Sequence, residues 1–113
     1  MKLEPDQEMR LWVQKFLAVP ENFDWDAGNS DKSLKHGFSK EDIESIFLRA
    51  EIVFAGRIIV PMHSEWRGLI LGMDRNDRFS SLIFTRREDQ LRPISCRPMR
   101  KKEATFYNEK TKT

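Results

Sequence analysis

The sequence predicts an α+β fold: a small antiparallel sheet with helices packed against it, and an extra helix at the N-terminus. Up to about residue 50, apolar side chains recur at helical spacing; beyond it, short runs rich in Val, Ile, Leu and Phe take over. Polar, turn-forming stretches separate several of these runs, which reads as a strand meander, and a further helical segment closes the chain. At 113 residues the chain (1–113) should form a single domain around one core.

Each element has a local reason. Pro5 suits a first helical turn, and Met9, Trp12, Val13, Phe16 and Leu17 fall at i, i+3, i+4, i+7 and i+8, an amphipathic helix within an extension over 1–21. Its apolar face should pack on the sheet or mediate self-association as a homodimer. Val19-Pro20 stops it, because the residue before proline disfavours the helical region. Phe23-Asp24-Trp25 alternates as a short strand does. Asp26 can cap a helix reaching Lys35 or His36, with Gly37 in the left-handed position after it. Ser39-Lys40-Glu41-Asp42 is a capping box, and Ile43, Ile46 and Phe47 give the next helix its buried stripe.

Strand-like runs follow at Glu51 to Phe54, Ile58 to Val60, Leu69 to Met73, Phe79 to Thr85 and Leu91 to Cys96. Asp74-Arg75-Asn76-Asp77 and Glu88-Asp89-Gln90 are the turns between the later ones. Pro93 places the last strand at an edge or marks a bulge. Residues 99–109 read as a helix, and the polar stretch 108–113 as a frayed tail.

Composition excludes several classes. With 39% hydrophobic residues, eight Phe and three Trp, the chain is too rich in core formers for full disorder. No apolar run approaches the roughly 20 residues of a membrane-spanning helix. Met1-Lys2-Leu3-Glu4-Pro5-Asp6 lacks a secretory pattern, so a cytoplasmic location without membrane association is expected. One cysteine and two histidines leave no basis for a disulfide or a metal site, and no cofactor is expected. The net charge of +2 is unevenly spread: residues 1–51 hold seven Lys/Arg against eleven Asp/Glu, residues 86–113 nine against four.

Motifs for phosphate-cradling loops, serine nucleophiles and dinucleotide binding are absent. What remains is a set of cations near strand ends: His63, Arg67, Arg86, Arg87, Arg92 and Arg97, with Glu65 beside them. Guanidinium groups converging on one side of a sheet suit phosphate, being permanently charged and bidentate; solvated strand-end arginines are the plainer reading. Arg67 is placed just before one strand and Arg97 just after another. His63, in a loop with Glu65, could titrate near neutral pH if a carboxylate lies in reach. Lys35 and His36 end a helix, where interaction with the helix dipole explains a cation equally well. Trp66 has two readings, core packing or a stacking platform for a base. Arg100-Lys101-Lys102 begins the last helix, where cations oppose the dipole, a weak nucleic-acid signal. No helix-turn-helix with a basic recognition helix is evident.

The order and spacing of several motifs resemble the BrnT-type toxins of bacterial toxin–antitoxin systems: Phe23-Asp24-Trp25-Asp26, Leu34-Lys35-His36-Gly37, His63-Ser64-Glu65-Trp66-Arg67 with Gly72, Phe84-Thr85-Arg86-Arg87, and Arg92-Pro93-Ile94-Ser95-Cys96-Arg97. Met99, Lys101-Lys102-Glu103 and Tyr107 continue the likeness, giving a toxin-like core over 22–107. The resemblance implies a fold related to the RelE ribonucleases, and metal-independent endoribonuclease activity that inhibits translation by attack of a ribose 2′-hydroxyl on the adjacent phosphate. It implies a ribbon-helix-helix antitoxin as partner, RNA as substrate, and DNA contact only through the antitoxin complex. Carried over residue by residue, Arg67, Arg87 and Arg97 would stabilise the phosphate, with His63 and Glu65 transferring protons and Lys35 and His36 in reserve. Lys35, Arg87, Arg92 and Lys101 would bind RNA. Family members carry an acid directly before the motif arginine and an aromatic directly after it; here Trp66 and Gly68 stand there. That departure motivates the alternative of a catalytically impaired homologue that binds antitoxin and regulates the operon.

Overall fold

The computed structural model describes residues 3–14, 23–49, 51–60, 65–88 and 90–112. Helices α1 (Gln7–Gln14), α2 (Ala27–Leu34) and α3 (Lys40–Ile46) precede strands β1 (Val53–Val60), β2 (Glu65–Met73), β3 (Phe79–Arg87) and β4 (Gln90–Pro98), and α4 (Lys101–Thr111) follows. The strands form one antiparallel meander in the order β1-β2-β3-β4. The predicted α+β class, with its small sheet flanked by helices, is therefore observed.

Alternation along the strands divides the core in two. Ile70, Leu82, Phe84, Leu91 and Cys96 point to the face covered by α1 and α3, where they meet Met9, Val13, Phe38, Ile43 and Ile46. Leu69 and Leu71 point to the other face, where Tyr107 of α4 covers them and donates its hydroxyl hydrogen bond to the Glu51 carbonyl. Burial makes Cys96 the small core residue its apolar strand suggested and pushes its thiol up to about 12.

The expected capping box at Ser39 with Asp42 is present, the expected Asp26 cap forms a second box with Asn29, and Gly37 takes a φ of 84° after α2. Helix α1 is described only to Gln14, so Phe16 and Leu17 lie outside the described residues. Its Met9 and Val13 are buried against the sheet. Met9 lies directly over Gly68: a Cβ there would sit 2.7 Å from the Met9 sulfur and 2.8 Å from Phe84.

Several boundaries differ from the expected ones. The runs at 51–54 and 58–60 join into the single strand β1, whose register against β2 shifts between Phe54 and Arg57 at Gly56, φ 133°. Strand β2 begins at Glu65 rather than Leu69, because its first four residues pair with Val60 to Arg57 although they are not all apolar. Arg67 is therefore inside a strand instead of before it, and Arg97 is inside β4, opposite Ser81, instead of after it. The expected strand at Phe23-Asp24-Trp25 is one parallel bridge, Phe23 to Leu91. Helix α4 carries helical structure to Thr111, into the stretch expected to be a frayed tail.

Strand β4 is an edge strand, as Pro93 implied, and its register shifts opposite Ile83 and Phe84. Its outer polar groups are bound by the chain before and along α2. The Asp24 N–H donates to the Leu91 carbonyl, Asn29 Nδ2 to the Pro93 carbonyl, and the Cys96 N–H to Ser33 Oγ. A strand edge that would otherwise recruit another chain is thus covered by α2.

Candidate functional site

Helix α4 leaves part of its own sheet face open. Continuing along that face from Leu69, alternation brings up Arg67; on β3 it brings up Thr85 and Arg87 beyond Ile83. Arg92 of β4 pairs directly with Thr85 and so lies on the same face. Thr85 is buried and donates to the Trp66 carbonyl at 2.6 Å, tying β3 to β2 beneath these arginines. Helix α2 closes the edge with Gly28, Asn29 and Lys32. The result is a cleft of about 180 Å³ between α2 and the sheet, lined by those three residues, the three arginines and Ile94.

Arg92 is held most firmly. Its Nη2 lies 3.1 Å from Asp26 Oδ2 and its Nη1 3.4 Å from Asp24 Oδ2, with only 13% of the side chain exposed. The Asn29 N–H, followed by Arg92, holds the Asp26 carboxyl below its usual range. Asn29 fixes the same corner: its Nδ2 donates to the Asp24 and Pro93 carbonyls, and its Oδ1 accepts from the Asp26 N–H. Arg67 is half-buried, while Arg87 and Lys32 are exposed on opposite walls. Charged donors on one concave surface, with Arg92 held in place, suit a phosphate.

Of the sequence-derived candidates, the fold brings Arg67, Arg87 and Arg92 together. Asn29 and Lys32 join them, which sequence reasoning missed; their spacing on α2, i and i+3, was the available signal. His63 lies outside the described residues, and Glu65 begins β2 with its side chain outside them. Lys35 and His36 are exposed in the turn after α2 and do not line the cleft. Lys101 is exposed at the start of α4, beside a separate hollow of about 800 Å³ that also includes Leu3 and Phe106. The larger hollow has no converging arginines from the sheet.

Arg97 faces α4. Its guanidinium forms a two-pronged pair with the buried Glu103, at 2.7 and 2.8 Å, and Glu103 also accepts from Ser81 and the Arg100 N–H. Burial alone would raise the Glu103 carboxyl, but the hydrogen bonds from Arg97, Arg100 and Ser81 outweigh it and leave it at about 2. This pair joins α4 to β4, away from the residues that line the cleft.

No curated protein matches the chain. A protein family does: the one described as ribonuclease toxin, BrnT, of type II toxin–antitoxin system, over residues 25–103. Helix α1 precedes the matched span, which takes in α2, α3, the whole sheet and the first turn of α4. With well over half its length matched, the chain belongs to the BrnT family of ribonuclease toxins.

Proposed function

We propose that the chain is an active endoribonuclease toxin of RelE-like fold, and that the cleft between α2 and the sheet is where an RNA phosphate sits during cleavage. The convergence of Arg67, Arg87 and Arg92 on an open part of the α4-side face carries this reading. In the proposed reaction the ribose 2′-oxygen bonds to the adjacent phosphorus and loses its proton to a base. The bond to the 5′-oxygen breaks as an acid protonates it, leaving a 2′,3′-cyclic phosphate and a 5′-hydroxyl. The arginines stabilise the extra charge of the pentacovalent intermediate. Because guanidinium stays protonated, proton transfer falls to His63 and Glu65. Neutralisation by a ribbon-helix-helix antitoxin completes the proposal, with DNA reached only through that complex. Expression of the chain alone in a bacterium should arrest growth, and Arg67→Ala should relieve it; unaffected growth at confirmed soluble expression would contradict the reading.

A second reading, an impaired homologue that only binds antitoxin, draws on one observation. Asp24 and Asp26, the carboxylates paired with the cleft's Arg92, are both engaged by it, and no histidine among the described residues lines the cleft. Purified protein that binds the antitoxin but leaves RNA intact would favour it.

A further inference from the structure

The end of the sheet that carries the cleft has another face. Trp66 directly precedes Arg67 in β2, and Arg86 directly precedes Arg87 in β3. Alternation therefore sends Trp66 and Arg86 to the face opposite the cleft. There α1 supplies Trp12, whose ring is nearly parallel to that of Phe84 (11°, centroids 6.4 Å apart) and edge-on to that of Trp66 (5.8 Å). The Arg86 guanidinium carbon lies over the Trp12 ring, 5.3 Å from its centroid. Phe84 is fully buried; Trp12 and Trp66 pack against the same core but stay half-buried, and Arg86 is exposed, its Nε donating to the Glu88 carbonyl. Trp66 also borders a hollow of about 370 Å³ shared with Pro5, Gly56 and Arg57.

We propose that Trp12, Trp66 and Arg86 form a stacking site for an unpaired base of single-stranded RNA, next to the nucleotide whose phosphate enters the cleft. This rests on the reading of the cleft as a phosphate site. Trp66 beside Arg67, and Arg86 beside Arg87, put base and phosphate contacts on the two faces of the same strand ends. Aromatic faces and guanidinium planes hold unstacked bases largely regardless of identity. Since α1 lies outside the residues matched to the family, the Trp12 half of the site comes from a segment beyond the family core.

The test is a fluorescence titration of the full chain with two probes: a short, fully 2′-O-methylated oligoribonucleotide, which lacks the attacking hydroxyl, and an abasic chain of the same length. The base-bearing probe should bind on the order of tenfold more tightly and quench tryptophan emission. Arg86→Lys keeps the charge but not the plane, and Trp12→Leu keeps apolar packing but not the ring; each should cut that advantage several-fold, with melting of Arg86→Lys unchanged. Equal wild-type affinity for both probes, with binding lost in Arg67→Ala, would overturn the stacking site and leave the cleft reading standing. No binding of either probe would overturn the cleft reading and the stacking site with it.

Discussion

Arg97 shares a sheet face with the cleft arginines Arg67 and Arg87 but not their surroundings, and the substitutions should fail differently. Arg97 is locked to the buried Glu103, and removing it leaves that carboxylate with only Ser81 and the Arg100 N–H as donors, a cost of about 1–3 kcal/mol. Arg97→Ala should therefore lower the melting temperature markedly, with any loss of activity following from unfolding. Arg67→Ala and Arg87→Ala should instead cut single-turnover RNA cleavage by about 10²–10³-fold, the range for removing one charge-stabilising donor, with the melt little changed for exposed Arg87. Asn29 belongs with Arg97: its amide binds two carbonyls across the α2–β4 corner, so Asn29→Ala should destabilise by about 1–3 kcal/mol in denaturant titration. Nothing in the one-dimensional pattern separates Arg97 from Arg67. Both are strand arginines, and only the packing of α4 over one end of the sheet assigns them different partners.

Among elements, α1 and β2 are fitted to one another at Gly68. A side chain there collides with Met9 and Phe84, so Gly68→Ala should cost about 1–3 kcal/mol through overpacking, and a larger aromatic more. Where the resemblance expects an aromatic after the motif arginine, the N-terminal helix supplies the covering side chain instead. Thermal melts of Gly68→Ala alone and with Met9→Ala, which vacates the space, check this: the double variant should recover part of the loss.

The α3 and α4 attachments set the acid limit of the fold. Asp42 accepts from the Ser39 N–H, Arg75, Asn76 and Arg78, fastening α3 to the β2–β3 turn. Burial opposes its ionisation, but those hydrogen bonds prevail and hold it at about 2, as they hold Glu103. Both carboxyls are depressed in the folded state. Their stabilisation is complete above the ordinary values of 3.8 and 4.5 and is lost as pH falls toward 2. Melting temperature should drop across that window, and Asp42→Asn should flatten the drop. The capping boxes, the turns and the edge position of Pro93 were legible because each depends on local chemistry. The start of β2 was not, since its first four residues are strand through pairing with β1 rather than through their own apolarity.

At the scale of the whole molecule, the weak net charge of +2 conceals a basic C-terminal quarter, and folding sorts it further. Some of these cations have carboxylate partners, Arg97 with Glu103 and the cleft's Arg92 with Asp24 and Asp26 of the acidic first half. Arg87 also lines the cleft, Arg86 stands on the opposite face, and Lys101 is at the start of α4. RNA binding by these groups should weaken steeply with salt through counterion release, and Lys32→Ala should make the slope of log affinity against log salt shallower by roughly one phosphate contact. The class of the fold could be read from periodicity, but the cleft could not, because its walls come from residues some 60 positions apart in the chain that meet only across the β4 edge.

The most direct test of the central claim is single-turnover incubation of the purified chain with a structured messenger RNA in EDTA, with the new ends identified chemically. The account predicts cleavage that yields 2′,3′-cyclic phosphate and 5′-hydroxyl ends, slowed by Arg67→Ala and by Arg87→Ala in proteins that melt as cooperatively as the wild type. Intact RNA, 3′-hydroxyl ends, or full activity in both arginine variants would contradict it.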